Sequence, residues 1–186
     1  FAFGLVLGGV VAAAARSGNR LVRGAAAVYT EFFRGVPLLV LLFFAYFALG
    51  RFLNISRGVA AVTALGAGYA AYLSEAIRAA LDEARRRHGD YVTVFGFSRW
   101  QGFRHVILPS SLRMMLPPLA NQAVAMVKDS SLVSVVAVGD LLRRGREFAA
   151  PTFTAFETYG VVALVYLLLS LAVSAVARSL EQRYAG

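Results

Sequence analysis

Long apolar runs separated by short arginine clusters organise the chain. A bilayer-spanning helix needs about twenty predominantly apolar residues. Phe1 to Ala15 therefore predicts the second part of a first span that begins before Phe1, and Arg16, Arg20 and Arg23 predict a cytoplasmic turn. A second span is expected from the segment starting at Ala25 and continuing through Val36 to Leu49. Glu31 and Arg34, just before Pro37, read as an interfacial pair snorkelling to lipid headgroups. Arg51 to Arg57 reads as a polar loop. Gly58 to Tyr72, rich in Ala and Gly, predicts a third span suited to close helix packing, and passes through Ser74, Glu75 and Arg78 into Arg85-Arg86-Arg87-His88.

The second half is less regular. Leu112 to Val127 is apolar but interrupted at Pro117-Pro118, with Asn121 and Gln122 following, so a broken fourth span is expected. Lys128, Asp129, Ser130 and Ser131 precede Leu132 to Leu142, a piece too short to cross alone. Charge there is tolerated where it is buried in protein or lines a watery cavity, which puts Lys128-Asp129 near a pathway. An ion pair closing the outer end of the fourth span explains the same pattern. Arg143, Arg144, Arg146 and Glu147 read as a polar linker, and Thr158 to Ala177 as a final span ended by Arg178 and Arg183.

Between these halves lies YVTVFGFSRWQGFRHVILP, Tyr91 to Pro109. Ser98 with Gln101 three residues on is a capping box, predicting a short helix from about Arg99 to Leu108. Pro109 is expected to end it, because the residue before a proline is pushed from the helical region. Trp100, Phe103 and Ile107 share one face, with Arg99, Gln101, Arg104 and His105 over much of the rest. Gly96 separates this helix from Tyr91 to Phe95. Two short helices hinged at a glycine are expected, packed on their own protein, at the lipid interface, or against another protein.

Composition sharpens the class. With 186 residues, 59% hydrophobic and 16% charged, the chain is too apolar for a soluble domain and predicts an all-α membrane protein of about five transmembrane helices. Its net charge of +9 sits at the ends of apolar runs, as topology charges do, which excludes nucleic acid as a partner. Placing the central loop in the cytoplasm puts the N-terminus outside and the C-terminus inside, with the clusters Arg16 to Arg23, Arg78 to Arg113 and Arg178 to Arg183 all inside. Arg143 to Arg146 is the exception. Phe1 to Ala15, which starts mid-pattern, is expected to belong to a span and does not read as a signal peptide.

Candidate chemistry is mostly absent. The chain has no cysteine and therefore no disulfide or thiolate site. It carries no phosphate-binding glycine loop, and its only histidines, His88 and His105, read as solvated loop residues. Ser110 and Ser111 lack a base and an orienting acid, so no enzyme, metal or cofactor is expected. Uphill transport would draw on an ion gradient or on a partner. A single broken region, where a secondary transporter would show matched repeats, favours the partner.

Five ordered blocks carry a resemblance: FFRGVPLLVLLFFAYF (Phe32 to Phe47), YLSEAIRAAL (Tyr72 to Leu81), GFSRWQGFRHVILP (Gly96 to Pro109), LPPLANQ (Leu116 to Gln122) and KDSSLVSVV (Lys128 to Val136). The chain resembles permease subunits of binding-protein-dependent ABC importers for polar amino acids, of the histidine/glutamine type. The resemblance implies one type I importer transmembrane domain over residues 1–186, with residues 88–109 as the cytoplasmic coupling loop. It implies a bacterial inner-membrane dimer, with an identical or sister permease, on two ATPase subunits that use ATP-Mg. An extracytoplasmic binding protein would deliver a polar or charged amino acid.

Coupling then falls to Asp90, Gly96, Ser98, Arg99, Trp100, Phe103, Arg104, Ile107 and Pro109, with the apolar edge anchored in an ATPase groove. The expected pathway residues are Asn121, Asp129 and Ser130, with Glu75 as a structural acid. The chain departs from the family where Asp90-Tyr91-Val92 replaces Glu-Ala-Ala, and where Arg86, Arg87 and His88 replace a proline, a basic residue and a glycine. Asp90 is expected to cap the first coupling helix. A co-adapted ATPase, or a sister subunit bearing the fuller motif, would accommodate the difference. The other reading is a scaffold or channel-like subunit that holds a cytoplasmic partner without ATP coupling.

Overall fold

The computed structural model describes residues 1–49 and 55–185, and every regular element among them is helical. The first, α1 (Ala2–Ala15), lies against α4 (Arg57–Val94) through small residues. A Cβ on Gly8 would stand 3.0 Å from Ala70 O and from Leu73 Cβ, and one on Gly4 would stand 3.1 Å from Gly66 O. Two glycines one turn apart thus let the backbones approach, as small residues do between membrane helices. Gly8→Leu should therefore overpack this seam by about 1–3 kcal/mol and lower the yield of folded, detergent-extractable protein. Wild-type yield would refute that packing.

Asn19 opens α2 (Arg20–Gly35), its Oδ1 accepting from Leu21 N at 2.9 Å. Val36 is extended, as a residue before proline must be, and α3 (Leu38–Phe44) leaves at 104° before passing into a π turn, Ala45–Leu49. The expected second span is therefore a sharply bent pair. The expected loop Arg51 to Arg57 falls mainly outside the described residues.

With 38 residues, α4 is about 57 Å long, well beyond the ~30 Å apolar core of a bilayer. The third span, the basic run Arg85 to His88 and Tyr91 to Val94 are consequently one rod, where separate span, loop and short helix were expected. Small buried residues such as Ala64, Gly66, Ala70 and Ala71 line its first half.

Beyond a tight turn, α5 (Arg99–Gly102), a π turn (Phe103–Ile107) and α6 (Leu108–Asp129) form one helical path. Pro109 does not end the helix. Leu108 N–H reaches back to Phe103 O, and this wider turn absorbs a proline that can donate no hydrogen bond and would crowd the carbonyl four residues back. Pro117 and Pro118 also lie inside α6, so the expected break there is absent. Membrane helices tolerate such residues because neighbouring groups satisfy the freed backbone.

A 3₁₀ segment, Ser130–Val136, stops at Ala137, whose φ is 59°. The expected polar linker is instead α7 (Leu141–Thr152). Asp140 caps it, accepting from Arg143 N at 3.0 Å, and Arg143 Nε pairs with Glu147 at 2.8 Å, so local interactions make it a helix. The last element, α8 (Ala155–Ala185), contains Ala155–Arg183, the one described helix long and apolar enough to cross a bilayer by itself; the α2–α3 pair passes the same test jointly. Leu42, Ala45, Ala61, Leu65, Val133 and Val136 form a core where α3, α4 and the 3₁₀ segment meet.

Candidate functional site

Two regions hold most of the residues singled out by sequence, one at each end of the α4 segment that runs from Tyr69 to Val92. At the far end, Gly96 N–H donates to Thr93 O and Phe97 N–H to Val92 O, at 3.2 and 3.1 Å. These paired bonds, with Gly96 at φ +68°, make a Schellman cap that only a residue at ease in the left-handed region closes without strain. Immediately afterwards Ser98 Oγ accepts from Gln101 N and Gln101 Oε1 from Ser98 N, the capping box read from sequence.

The helix so started does not turn its whole apolar edge outward. Ile107 is only 5% exposed, and Phe103 lines a cavity of about 330 Å³ with Arg85, Gly89, Val92, Arg99, Gly102 and Ile107. Trp100 does face out, at 66%, and so do Tyr91, Val94, Phe95 and Phe97 beside the glycine turn. The open apolar rim thus joins the end of α4 to the start of α5, and Phe103 and Ile107 seat the helix on its own chain. Asp90 lies exposed inside α4 and caps no separate helix. Arg99 and Arg104 are exposed at the rim, and Pro109 is exposed in the first turn of α6.

Nearby, hydrogen bonds from Arg87 and Arg86 hold the Glu83 carboxyl below the usual carboxylate range. Arg16 pairs with Asp82, tying the end of α1 to α4. His88 lies inside α4 where a loop was expected, and His105 falls in the expected short helix; the two line one cavity with Val106, Pro109, Ser110 and Arg113.

The other region is a cavity of about 230 Å³ enclosed by Phe33, Val36, Leu38, Gly68, Tyr69, Tyr72, Gln122, Ala125 and Asp129. Tyr69 Oη donates to Asp129 Oδ2 at 2.7 Å across 60 residues of sequence. Asp129 thus pairs with a hydroxyl, while Lys128 is exposed, so the two do not form the closing ion pair. Asn121 is exposed and lies off the cavity. Its neighbour Gln122 lines the wall. Ser130 Oγ donates to Val127 O at 2.6 Å, inside the helix end. Gln122, Ala125 and Asp129 recur at helical spacing on one face of α6, a signal hidden when the two prolines are taken as a break.

Glu75 sits apart, in a second polar cavity with Arg23, Glu31, Ser74 and Arg78 among its walls. It accepts from Arg34 Nη1 at 2.6 Å, with Arg78 at 3.9 Å. Arg34 therefore bridges α2 to α4, where a pairing with Glu31 in the headgroups was expected. Its guanidinium also lies 5.8 Å from the centre of the Tyr72 ring. The described residues contain no cluster of metal-ligating side chains.

Comparison with known proteins gives concordant matches. The family described as "Binding-protein-dependent transport system inner membrane component" matches residues 4–186. The glutamine transport system permease protein GlnP of Escherichia coli (strain K12) is 38% identical over 183 residues, covering 97% of this chain and 84% of that protein. The arginine transport system permease protein ArtQ of Bacillus subtilis (strain 168) is 30% identical over 182 residues, covering 97% and 83%. A solved amino acid ABC transporter with histidines superposes with a TM-score of 0.91 at 31% identity, covering 98% of this chain and 86% of that one. The inward-facing MetNI methionine ABC transporter, at 19% identity and a TM-score of 0.78 over 98% and 88%, shares the fold.

Proposed function

The chain belongs to the binding-protein-dependent transport system inner membrane components, as a permease subunit of an ABC importer, and from that we propose that it passes a polar amino acid through the Tyr69–Asp129 cavity. The observation that carries this reading is the half-buried Asp129 carboxylate, bonded to a neutral hydroxyl in a cavity that the Gln122 side chain also lines. A carboxylate held away from water without a cation is costly. An α-ammonium or a cationic side chain would relieve that cost, and an amide offers both a donor and an acceptor to the rest of the ligand. The relatives named for glutamine and arginine transport fit that class.

The finer assembly follows the family. A second permease completes the pore, and an extracytoplasmic binding protein presents the amino acid on the side where the N-terminus of this topology lies. Of two ATPase subunits, with ATP-Mg, one docks at the rim formed by Tyr91, Phe95, Phe97 and Trp100, where Arg99 and Arg104 supply polar contacts, and the other at the second permease. The chain itself performs no bond chemistry. Coupling requires only that the ATP-bound and ATP-free dimers favour different membrane-domain states.

Reconstitution of the permease with its ATPase and binding protein in proteoliposomes tests this. One polar amino acid should accumulate, and only when all components and ATP are present. Accumulation independent of ATP, or indifferent to which solute is offered, would end the reading.

A further inference from the structure

We propose that Val92 and Gly102 form a steric register that seats the coupling helix on α4 and makes α4 the stiff route from the ATPase to the amino-acid cavity. This rests on the reading of that helix as the ATPase contact. Gly102 is buried, and a Cβ placed there would stand 2.8 Å from Val92 Cγ2 and 3.1 Å from Val92 Cβ, and nearer still to Cγ1. The β-branched side chain of Val92 strongly prefers one χ1 rotamer in its own helix, so swinging clear is costly. Val92 therefore occupies the place a side chain at residue 102 would need. Phe103 and Ile107 close on the same cavity from the next turn, with Gly89 opposite.

The Schellman cap joins the two pieces through a few ordered residues, so the short helix and the last turn of α4 move together. From Val92 to Tyr69, α4 is unbroken over about 35 Å. The second connection between the coupling region and Asp129 runs through the π turn at Phe103–Ile107 and then past Pro109, Pro117 and Pro118. π turns and prolines are where helices bend. A push on the Trp100 rim thus reaches Tyr69 along α4 with less loss than it reaches Asp129 along α6, and the two arrive at opposite partners of one hydrogen bond.

The test uses the reconstituted importer and reads amino acid moved per ATP hydrolysed, alongside co-purification of the ATPase. Gly102→Ala should leave co-purification near wild type and reduce the transport ratio by about tenfold or more. The double variant V92A/G102A removes both Val92 methyl carbons and leaves only the 3.1 Å Cβ–Cβ approach to relax, so it should recover to within about threefold of wild type. A wild-type ratio for G102A, or a double variant no better than G102A, overturns the proposal. If G102A fails to accumulate, V92A/G102A decides alone: restored yield with restored coupling supports the register, and restored yield without coupling overturns it.

Because the chain has no cysteine, V92C/G102C supplies the only two thiols. Their Cβ atoms would lie close to disulfide range, so mild oxidation of the full-length chain should cross-link them in the absence of any partner. Failure to cross-link sinks the register whatever the transport data show. Cross-linking combined with no ATP-dependent uptake by the wild-type assembly would leave the register standing and remove the importer reading.

Discussion

Asp129→Asn should lower ATP-driven uptake by about thirtyfold or more, since removing one member of a buried charge-assisted contact costs about 2 kcal/mol or more. The carboxylate is the strongest candidate partner for an ammonium in the cavity, and asparagine keeps its size while removing the charge. Tyr69 Oη can still donate to the amide oxygen, so assembly with the second permease and the ATPase should persist. Collapse of the assembly in place of lost uptake would make the Tyr69–Asp129 contact a structural tie between α4 and α6. The companion Asn121→Ala should change uptake little, because Asn121 is exposed outside the cavity, whereas Gln122→Ala should impair it. The reverse ranking would move the pathway to the other side of α6.

Trp100→Ala should weaken ATPase binding by about thirtyfold or more, measured by titrating ATPase onto detergent-solubilised permease, since a central aromatic anchor contributes about 2 kcal/mol or more. Two-thirds of Trp100 is exposed, so its loss leaves the fold of the permease intact. Ile107→Ala provides the contrast: the side chain is buried on its own chain, and truncation should cost about 2–5 kcal/mol of permease stability before any effect on docking. Gly96→Asp attacks the same surface differently. It forces a side chain into the left-handed position of the Schellman cap and sets a charge amid Phe95, Phe97 and Trp100. Normal transport in both Trp100→Ala and Gly96→Asp would remove the coupling assignment.

Much of the proposed coupling surface is legible residue by residue. The Ser98–Gln101 capping box and the turn at Gly96 depend on groups within five residues of each other, and local sequence decides them. The same holds for Asn19 and Ser56 as N-caps, and for the last apolar helix, whose uniform composition needs no partner to be recognised. Local rules mislead where a second helix intervenes. Pro109, Pro117 and Pro118 predict an end and a break when taken alone, yet a π turn and packed neighbours carry the helix through them.

Sequence alone therefore determined an all-helical membrane chain, a glycine turn and a capped short helix after it, because those features follow from composition and from bonds between near neighbours. Tertiary structure decided which apolar residues face a partner and which face the chain itself. An amphipathic pattern states only that one side avoids water, and Ile107 and Trp100 satisfy it equally. It also decided the pairs Arg34–Glu75 and Tyr69–Asp129, separated by 41 and 60 residues, since which polar groups meet is set by how α2, α4 and α6 pack. The cavity that a substrate would enter exists only through that packing.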